Sequence, residues 1–477
     1  MTRNNGYDGV IVGSGPNGLA AAVRLARQGL STVVFEANDT LGGGARSAEL
    51  TLPGCIHDVC SAVHPLGAGS PFFRELSLEK FGLNWIHPEL PLAHPLDSGD
   101  GAALRRSVSE TAASLDGDRT CYERLMAPMV GRWDDLSPEI LQPVLHWPRS
   151  PLVLARFGWH AMGSAMGLAR GHFRTDSARA LFAGMAAHSF LPLDQIPSAA
   201  YGLLLAAMGH AVGWPVPRGG SQQITNALVT LLQSLGGEVL TNRKIETLRQ
   251  LPKAKVILLD ITPRQFLRLA GDDLPPAYRR RLEKFRYGPG VFKLDYALRG
   301  PIPWTADVCR RAGTVHVCGG FEEVIAAEGA AARGKIPERP FILVAQPSLF
   351  DPTRAPAGMH TAWAYCHVPA ACAVDMTASV ERQIERFAPG FRDLVAARHV
   401  MNCADLERKN ANLIGGSISG GASDLWQMLA RPTLSPTPYR TPLNGVYLCS
   451  SSTPPGGGVH GMCGFHAAEA AIRDHFR

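Results

Sequence analysis

The chain has 477 residues, 45% of them apolar, with 47 basic and 41 acidic side chains and a formal net charge of +6. That length supports two units with cores of their own, and the composition excludes disordered, collagen-like and fibrous classes. The positive excess is mild, and its densest run (Arg279-Arg280-Arg281 with Lys284 and Arg286) suits a solvated helix. No aromatic–basic interleaving accompanies it, so nucleic acid is not an expected partner.

In chain order, Met-Thr-Arg-Asn-Asn-Gly-Tyr-Asp lacks the apolar stretch of a signal peptide and leads directly into a strand ending at Val12. Gly13, Gly15 and Gly18 follow at GxGxxG spacing, with Ser14, Pro16 and Asn17 between them. A helix over 16–28 and a second strand ending in Glu36 and Ala37 complete the unit. Each glycine has a job: a tight turn, close backbone approach to a pyrophosphate, and close helix–strand packing. The helix N-terminus offers free N–H groups and partial positive charge to phosphates, and Glu36 suits ribose hydroxyls.

Next come Gly42-Gly43-Gly44-Ala45-Arg46-Ser47 and the segment His57-Asp58-Val59-Cys60-Ser61-Ala62-Val63-His64-Pro65. Small and apolar residues at helical spacing predict helices over 152–170, 175–187 and 198–211. No stretch reaches the length of a membrane span; 198–214 comes nearest, but holds His210 and several glycines and reads as a buried helix. Gly213-Trp214-Pro215-Val216-Pro217-Arg218-Gly219-Gly220-Ser221 opens a helix over 224–235, followed by strands over 238–240 and 255–259. Strand runs at 291–298, 314–317, 341–346 and 360–368 predict an antiparallel sheet. A strand over 443–448, the loop Ser450–Gly464 rich in glycine, and a closing helix end the chain. The ten cysteines form no C-x-x-C pair, so neither a dithiol centre nor a zinc site is written here, and no metal is expected.

The segment after the second strand resembles the Gly-Gly-x-Arg element that FAD enzymes of the glutathione-reductase-like superfamily place beside the diphosphate. The C-terminal loop resembles the flavin segment of bacterial-type phytoene desaturases. The resemblance covers nearly the whole chain and is nearest to the branch called pyridine nucleotide-disulfide oxidoreductase domain-containing protein 2. It implies an α/β fold: a discontinuous glutathione-reductase-like Rossmann domain (1–65, 216–287, 411–477) with an inserted α+β substrate domain (66–215, 288–410) of antiparallel sheet plus helices. It implies FAD held by Gly13, Ser14, Gly15, Pro16, Asn17, Gly18, Glu36, Ala37, Gly43, Gly44, Ala45, Arg46, Ser451, Ser452, Gly458, Val459 and His460. Relatives often insert a long β-hairpin between the strands that here end at 240 and begin at 255; only a short connection stands in its place. The Ser450-Ser451-Ser452 run replaces an acidic residue that grips the ribityl chain in many relatives.

Four residues are candidates for chemistry. Lys293 is a lone cation in an apolar strand and resembles the lysine that amine-oxidase-like flavoproteins hold near flavin N5; a lysine snorkelling to solvent is the alternative. His64, with Asp58, is a candidate oriented base, against hydrogen bonding that only shapes the loop. His188 and His210 lie on apolar helices, where a satisfied core histidine is the commoner case. Cys60 and Cys449 are small buried cysteines in the first instance and covalent flavin links in the second.

The expected enzyme is an FAD-dependent oxidoreductase, desaturase- or dehydrogenase-like, exchanging hydride at N5 with a largely apolar polyene-, isoprenoid- or acyl-like substrate. A redox-neutral isomerase or hydratase and an interaction protein with structural FAD are the alternatives. A second GxGxxG with a trailing acid is absent, so oxygen or a quinone is the expected electron acceptor. The expected location is cytoplasmic, with peripheral membrane contact left open.

Overall fold

The computed structural model describes residues 6–476. Its first layer is a five-stranded parallel sheet in the order Val446–Leu448, Ala254–Leu259, Tyr7–Val12, Thr32–Phe35, Glu238–Leu240. Val10 pairs with Val33 on one side and Ile257 on the other. A parallel sheet is covered on both faces, which is why its central strands read as unbroken apolar runs.

Helix Pro16–Ala26 starts where Pro16, lacking an N–H, occupies the first helical position. It packs against the closing helix Met462–His475 and against Gln222–Ser234. The first contact is so close that a Cβ on Gly464 would lie 1.8 Å from the Asn17 carbonyl oxygen. Gln222–Ser234 buries Ile224, Ala227, Leu228, Leu231 and Leu232, one apolar stripe at helical period. Among the described residues no strand lies between Leu240 and Ala254, only the short 3-10 turn Leu248–Gln250.

The second layer is a seven-stranded sheet, ordered Val395–Met401, Gly290–Leu298, His360–Val368, Ile342–Ala345, Ala312–Val317, Leu90–Pro95, Gly101–Leu104. The four expected strands pair antiparallel with one another, but the sheet as a whole is mixed, because Leu90–Pro95 runs parallel to Ala312–Val317. Leu90–Pro95 is completely buried yet carries two prolines, which argue against an interior strand in sequence. Val395–Met401 lies at the sheet edge, half-exposed and without clean alternation, so its signal is equally poor.

Helices cover both faces of this sheet: Asp307–Arg310 and Thr377–Phe387 pack on one, and a larger helical layer packs on the other. The run expected as one helix over 152–170 is two, Pro151–Ala161 and Ala165–His172. The chain breaks at Gly163 because the Ser164 hydroxyl accepts the Gly167 N–H at 3.1 Å and caps a new start. Asp176–Ala187 and Ser198–Ala211 follow and pack on each other. No helix among the described residues is long and apolar enough to cross a membrane.

Candidate functional site

A cavity of ≈ 760 Å³ runs from the glycine loops of the parallel sheet to the space between the mixed sheet and its helices. At the first end, Gly13 turns the chain with φ +99°, and a Cβ on Gly15 would lie 2.4 Å from Asp260 Oδ2. The second glycine loop closes on the first: a Cβ on Gly43 would sit 3.0 Å from the Gly15 Cα. These are backbone walls that only glycine permits. Gly15 opens helix Pro16–Ala26 without any side-chain cap and with no acid in the first turn, leaving the positive helix end to the cavity.

Glu36 is buried and fixed there. Its Oε2 accepts the Ser14 N–H and hydroxyl at 3.0 and 2.6 Å, and its Oε1 accepts the backbone and side-chain N–H groups of Asn38, both at 2.9 Å. Ser14 in turn accepts the Gly42 N–H at 3.1 Å, tying both loops together. Asn17, which lines the cavity, donates to the Ser451 hydroxyl at 3.3 Å, while its Oδ1 is buried without a partner. Glycine walls, an uncapped helix end, a carboxylate beyond it and an orphaned polar atom together fit a dinucleotide.

Several expected cofactor residues stand behind that wall. Gly18 donates its N–H to Asp260 Oδ2 at 3.0 Å and lets the helix press on Gly13, serving packing as expected. Ala45 is fully buried outside the cavity. Arg46 is corrected: its guanidinium is spent on the Gly43 and Lys409 carbonyls at 2.9 and 2.6 Å, so it braces the loop rather than facing the cavity. Pro16, Ala37, Gly44, Gly458 and Val459 do line it. So do Ser451 and Ser452, although the Ser452 hydroxyl donates to the Gly420 carbonyl at 2.7 Å. His460 accepts the Met462 N–H on Nδ1 at 3.0 Å, which leaves Nε2 to donate to the Gly456 carbonyl. Burial lowers it to about 4, so it is a neutral brace under the closing helix.

Asp260 was not singled out by sequence, where it is one acid after an apolar strand. The fold buries it under the first glycine loop. Desolvation pushes its carboxyl up to about 7 against the Gly18 N–H, with the Glu36 charge adding to the rise. Arg243 and Lys244 likewise reach the cavity beside Glu36 with no motif to mark them.

The far end is apolar. Leu154, Phe157, Leu204 and Leu205 come from the helices, and Leu343, Trp363 and Tyr365 from the sheet. Trp363 and Tyr365 share a strand face at period 2, their rings T-shaped with centroids 4.9 Å apart. Between the two ends, His64 Nε2 meets the Ser221 hydroxyl at 2.7 Å, and Ser221 donates to the Ser61 carbonyl at 2.6 Å. Burial holds His64 down to about 4, although nearby Asp58 opposes it. His188 contacts His316 nitrogen to nitrogen at 3.1 Å, and burial holds it down to about 3.

Two candidates do not reach the cavity. Lys293 is ion-paired with Asp295, its ammonium 5.9 Å from the centre of the Trp363 ring; it shares the sheet face of its pairing partner Tyr365 but does not itself line the cavity. His210 is a satisfied core residue: Nε2 meets the Tyr122 hydroxyl at 2.8 Å and Nδ1 the Arg106 carbonyl. Cys60 lines the cavity, and burial pushes its thiol up to about 11. Cys449 is fully buried elsewhere. Among the described residues no cluster of three metal-ligating side chains converges.

Residues 11–76 match the NAD(P)-binding Rossmann-like domain family. Pyridine nucleotide-disulfide oxidoreductase domain-containing protein 2 of Rattus norvegicus is 26% identical, covering 98% of this chain and 94% of that protein. The neurosporene-forming phytoene desaturase of Rhodobacter capsulatus is 24% identical, covering 95% and 91%. An oxidoreductase of Methanosarcina mazei shares the fold with a TM-score of 0.67 at 16% identity, over 98% of this chain and 99% of that one. Wild-type putrescine oxidase bound to putrescine does so with a TM-score of 0.62 at 18% identity, over 99% of each chain. The chain is related over nearly its whole length to oxidoreductases, the phytoene desaturases and pyridine nucleotide-disulfide oxidoreductase domain-containing protein 2 among them.

Proposed function

We propose that the protein exchanges hydride between a C–H bond of a largely apolar substrate, polyene-, isoprenoid- or acyl-like, and FAD. The observation that carries this reading is one continuous cavity joining a dinucleotide cradle to an apolar chamber. In this glutathione-reductase-like reading, residues 1–65, 216–287 and 411–477 hold the cofactor, and 66–215 and 288–410 hold the substrate. FAD, when bound, supplies a two-electron acceptor or donor at N5.

The chain's own residues bind, orient and exclude water. Gly13, Gly15 and Gly43 would give backbone access to the diphosphate, Glu36 would hold the ribose end, and Gly458, Val459 and His460 would border the flavin. Trp363 and Tyr365 offer the substrate a flat aromatic floor, with Leu154, Phe157 and Leu204 pressing from above. Neither His64 nor His188 is basic enough to act as a strong base near neutral pH, since burial holds them to about 4 and about 3. His188 Nε2 shares a hydrogen bond with His316 Nε2, which fixes the ring at the chamber wall. Oxygen or a quinone fits as the electron acceptor. All ten cysteines are free, which suits a reducing compartment such as the cytoplasm.

The test is anaerobic mixing of the purified flavoprotein with apolar candidates while the flavin absorbance is followed. Bleaching by such a substrate alone is the expected result. Bleaching only by NADH or NADPH points to a reductase or reduced-flavin isomerase and counts against substrate oxidation with oxygen or a quinone as acceptor, and turnover of an apolar substrate without any bleaching points to redox-neutral chemistry.

A further inference from the structure

Helix Pro151–Ala161 is apolar around nearly its whole circumference. Leu154, Phe157, Gly158 and Ala161 line the cavity. The opposite face carries Leu152 and Trp159, each 85% exposed, with exposed Ala155 and Arg156 between them. A helix apolar on all sides is normally buried on all sides. The preceding loop adds Leu145 and Trp147, 65% and 94% exposed. Met162, half-exposed, and exposed Val144 belong to this outer surface and to the cavity lining alike, so the apolar face is continuous with the cavity mouth. Exposed Ile196 and Trp426 sit next in sequence to the lining residues Pro197 and Leu425. Scattered exposed apolar residues need no explanation, but a contiguous set around a cavity mouth does.

Charge decides what covers it. Residues 142–173 contain no aspartate or glutamate and three arginines, of which Arg149 and Arg156 are exposed on this face. A two-fold dimer through the same face would set these cations against their own copies. An anionic surface complements them, and exposed tryptophans beside arginines are the signature of a helix lying in a lipid–water interface.

We propose that this face docks on a lipid bilayer containing anionic lipids, with Trp147, Leu152 and Trp159 entering the acyl boundary and Arg149 and Arg156 meeting headgroup phosphates. The cavity mouth then opens onto the hydrocarbon, and an apolar substrate passes from lipid to chamber without crossing water. That last consequence rests on the reading of the chamber as a site for apolar substrates; the docking itself does not.

The experiment is co-sedimentation of the FAD-loaded protein, without substrate, with vesicles of phosphatidylcholine alone or mixed with phosphatidylglycerol. Binding is expected to the mixed vesicles, to weaken as salt is added and to be poor on phosphatidylcholine alone. The variant W147S/W159S should lower the bound fraction about tenfold, since two large rings lose their apolar burial, with flavin absorbance and melting temperature unchanged. R149E/R156E should abolish the preference for phosphatidylglycerol. Failure to sediment with mixed vesicles, or wild-type binding by W147S/W159S, overturns the proposal. So does a wild-type dimer, unable to bind vesicles, that this variant converts to monomers. Because no substrate is present, a negative result leaves the flavin-bleaching test of the reaction standing.

Discussion

Replacing Arg354 with methionine should be among the most damaging single changes in this protein. Arg354 and Asp58 are both fully buried and ion-paired at 2.7 Å. Arg354 also donates to the Ile56 carbonyl at 3.1 Å, while Asp58 Oδ1 accepts the Ser47 hydroxyl and the Ser221 N–H, both at 2.7 Å. Ser221 in turn holds Ser61 and His64, so this cluster anchors the cavity wall between cradle and chamber. Burial works against the Asp58 carboxylate, but Arg354, the Ser221 N–H and the Ser47 hydroxyl together hold its pKa below the usual range. R354M leaves that carboxylate buried and unpaired, at a cost of about 3–5 kcal/mol. Adding D58N keeps an acceptor for Ser47 and Ser221 without the charge and should recover at least about 1 kcal/mol, read as a coupling in a double-mutant cycle. The pH dependence has a definite sign. A depressed carboxylate pKa contributes stability above its unfolded value of about 3.9, lost as pH falls through the folded value. In R354M the buried carboxyl is relieved by protonation instead, so the gap to wild type should narrow as pH falls toward about 4. Denaturant unfolding followed by tryptophan emission, with flavin release as a second probe, measures this. A loss under about 1 kcal/mol for R354M, or no relief from D58N, refutes the reasoning.

Gly15→Ala should abolish tight FAD binding, measured by flavin fluorescence titration, because its Cβ would press on Asp260 Oδ2 at 2.4 Å within the cradle. Lys293→Met should destabilise by about 3–5 kcal/mol by stranding buried Asp295, with K293M/D295L recovering most of the loss in the same unfolding assay. Asp260, raised to about 7 when folded, contributes stability below its unfolded value that is lost as pH rises through about 7; D260N should flatten the stability of the FAD-free protein over that range. His57, His64, His210 and His460 are each lowered to about 4 and His188 to about 3, so their joint contribution is present above about pH 6.5 and lost as pH falls. Acid melts should therefore lose stability below about pH 6.5, less steeply in H188Q.

The cofactor half of this protein was legible from its sequence because the physics there is local. Gly13, Gly15, Gly18 and Glu36 fall at fixed spacing within one strand–helix–strand unit, so a short window determines which backbone atoms face a dinucleotide. The apolar runs at 255–259 and ending at Val12 announced buried strands, and the helix Ser198–Ala211 was readable to its ends. What the sequence could not decide was which side chains meet across long separations. Lys293 reads as a lone cation although Asp295, two residues along the same strand face, was there to pair with it; what the sequence hid is Trp363, brought beside its ammonium from another strand. Arg46 reads as a diphosphate ligand, but Lys409, far along the chain, takes its guanidinium. Asp260 reads as an ordinary acid at a strand end until the fold sets it under the first glycine loop. The prolines of Leu90–Pro95 hid a strand that pairing with Ala312–Val317 makes interior. Spacing along the chain determines backbone geometry over one supersecondary unit; charge pairing, desolvation and access to the cavity depend on neighbours brought from hundreds of residues away, and only tertiary packing supplies them.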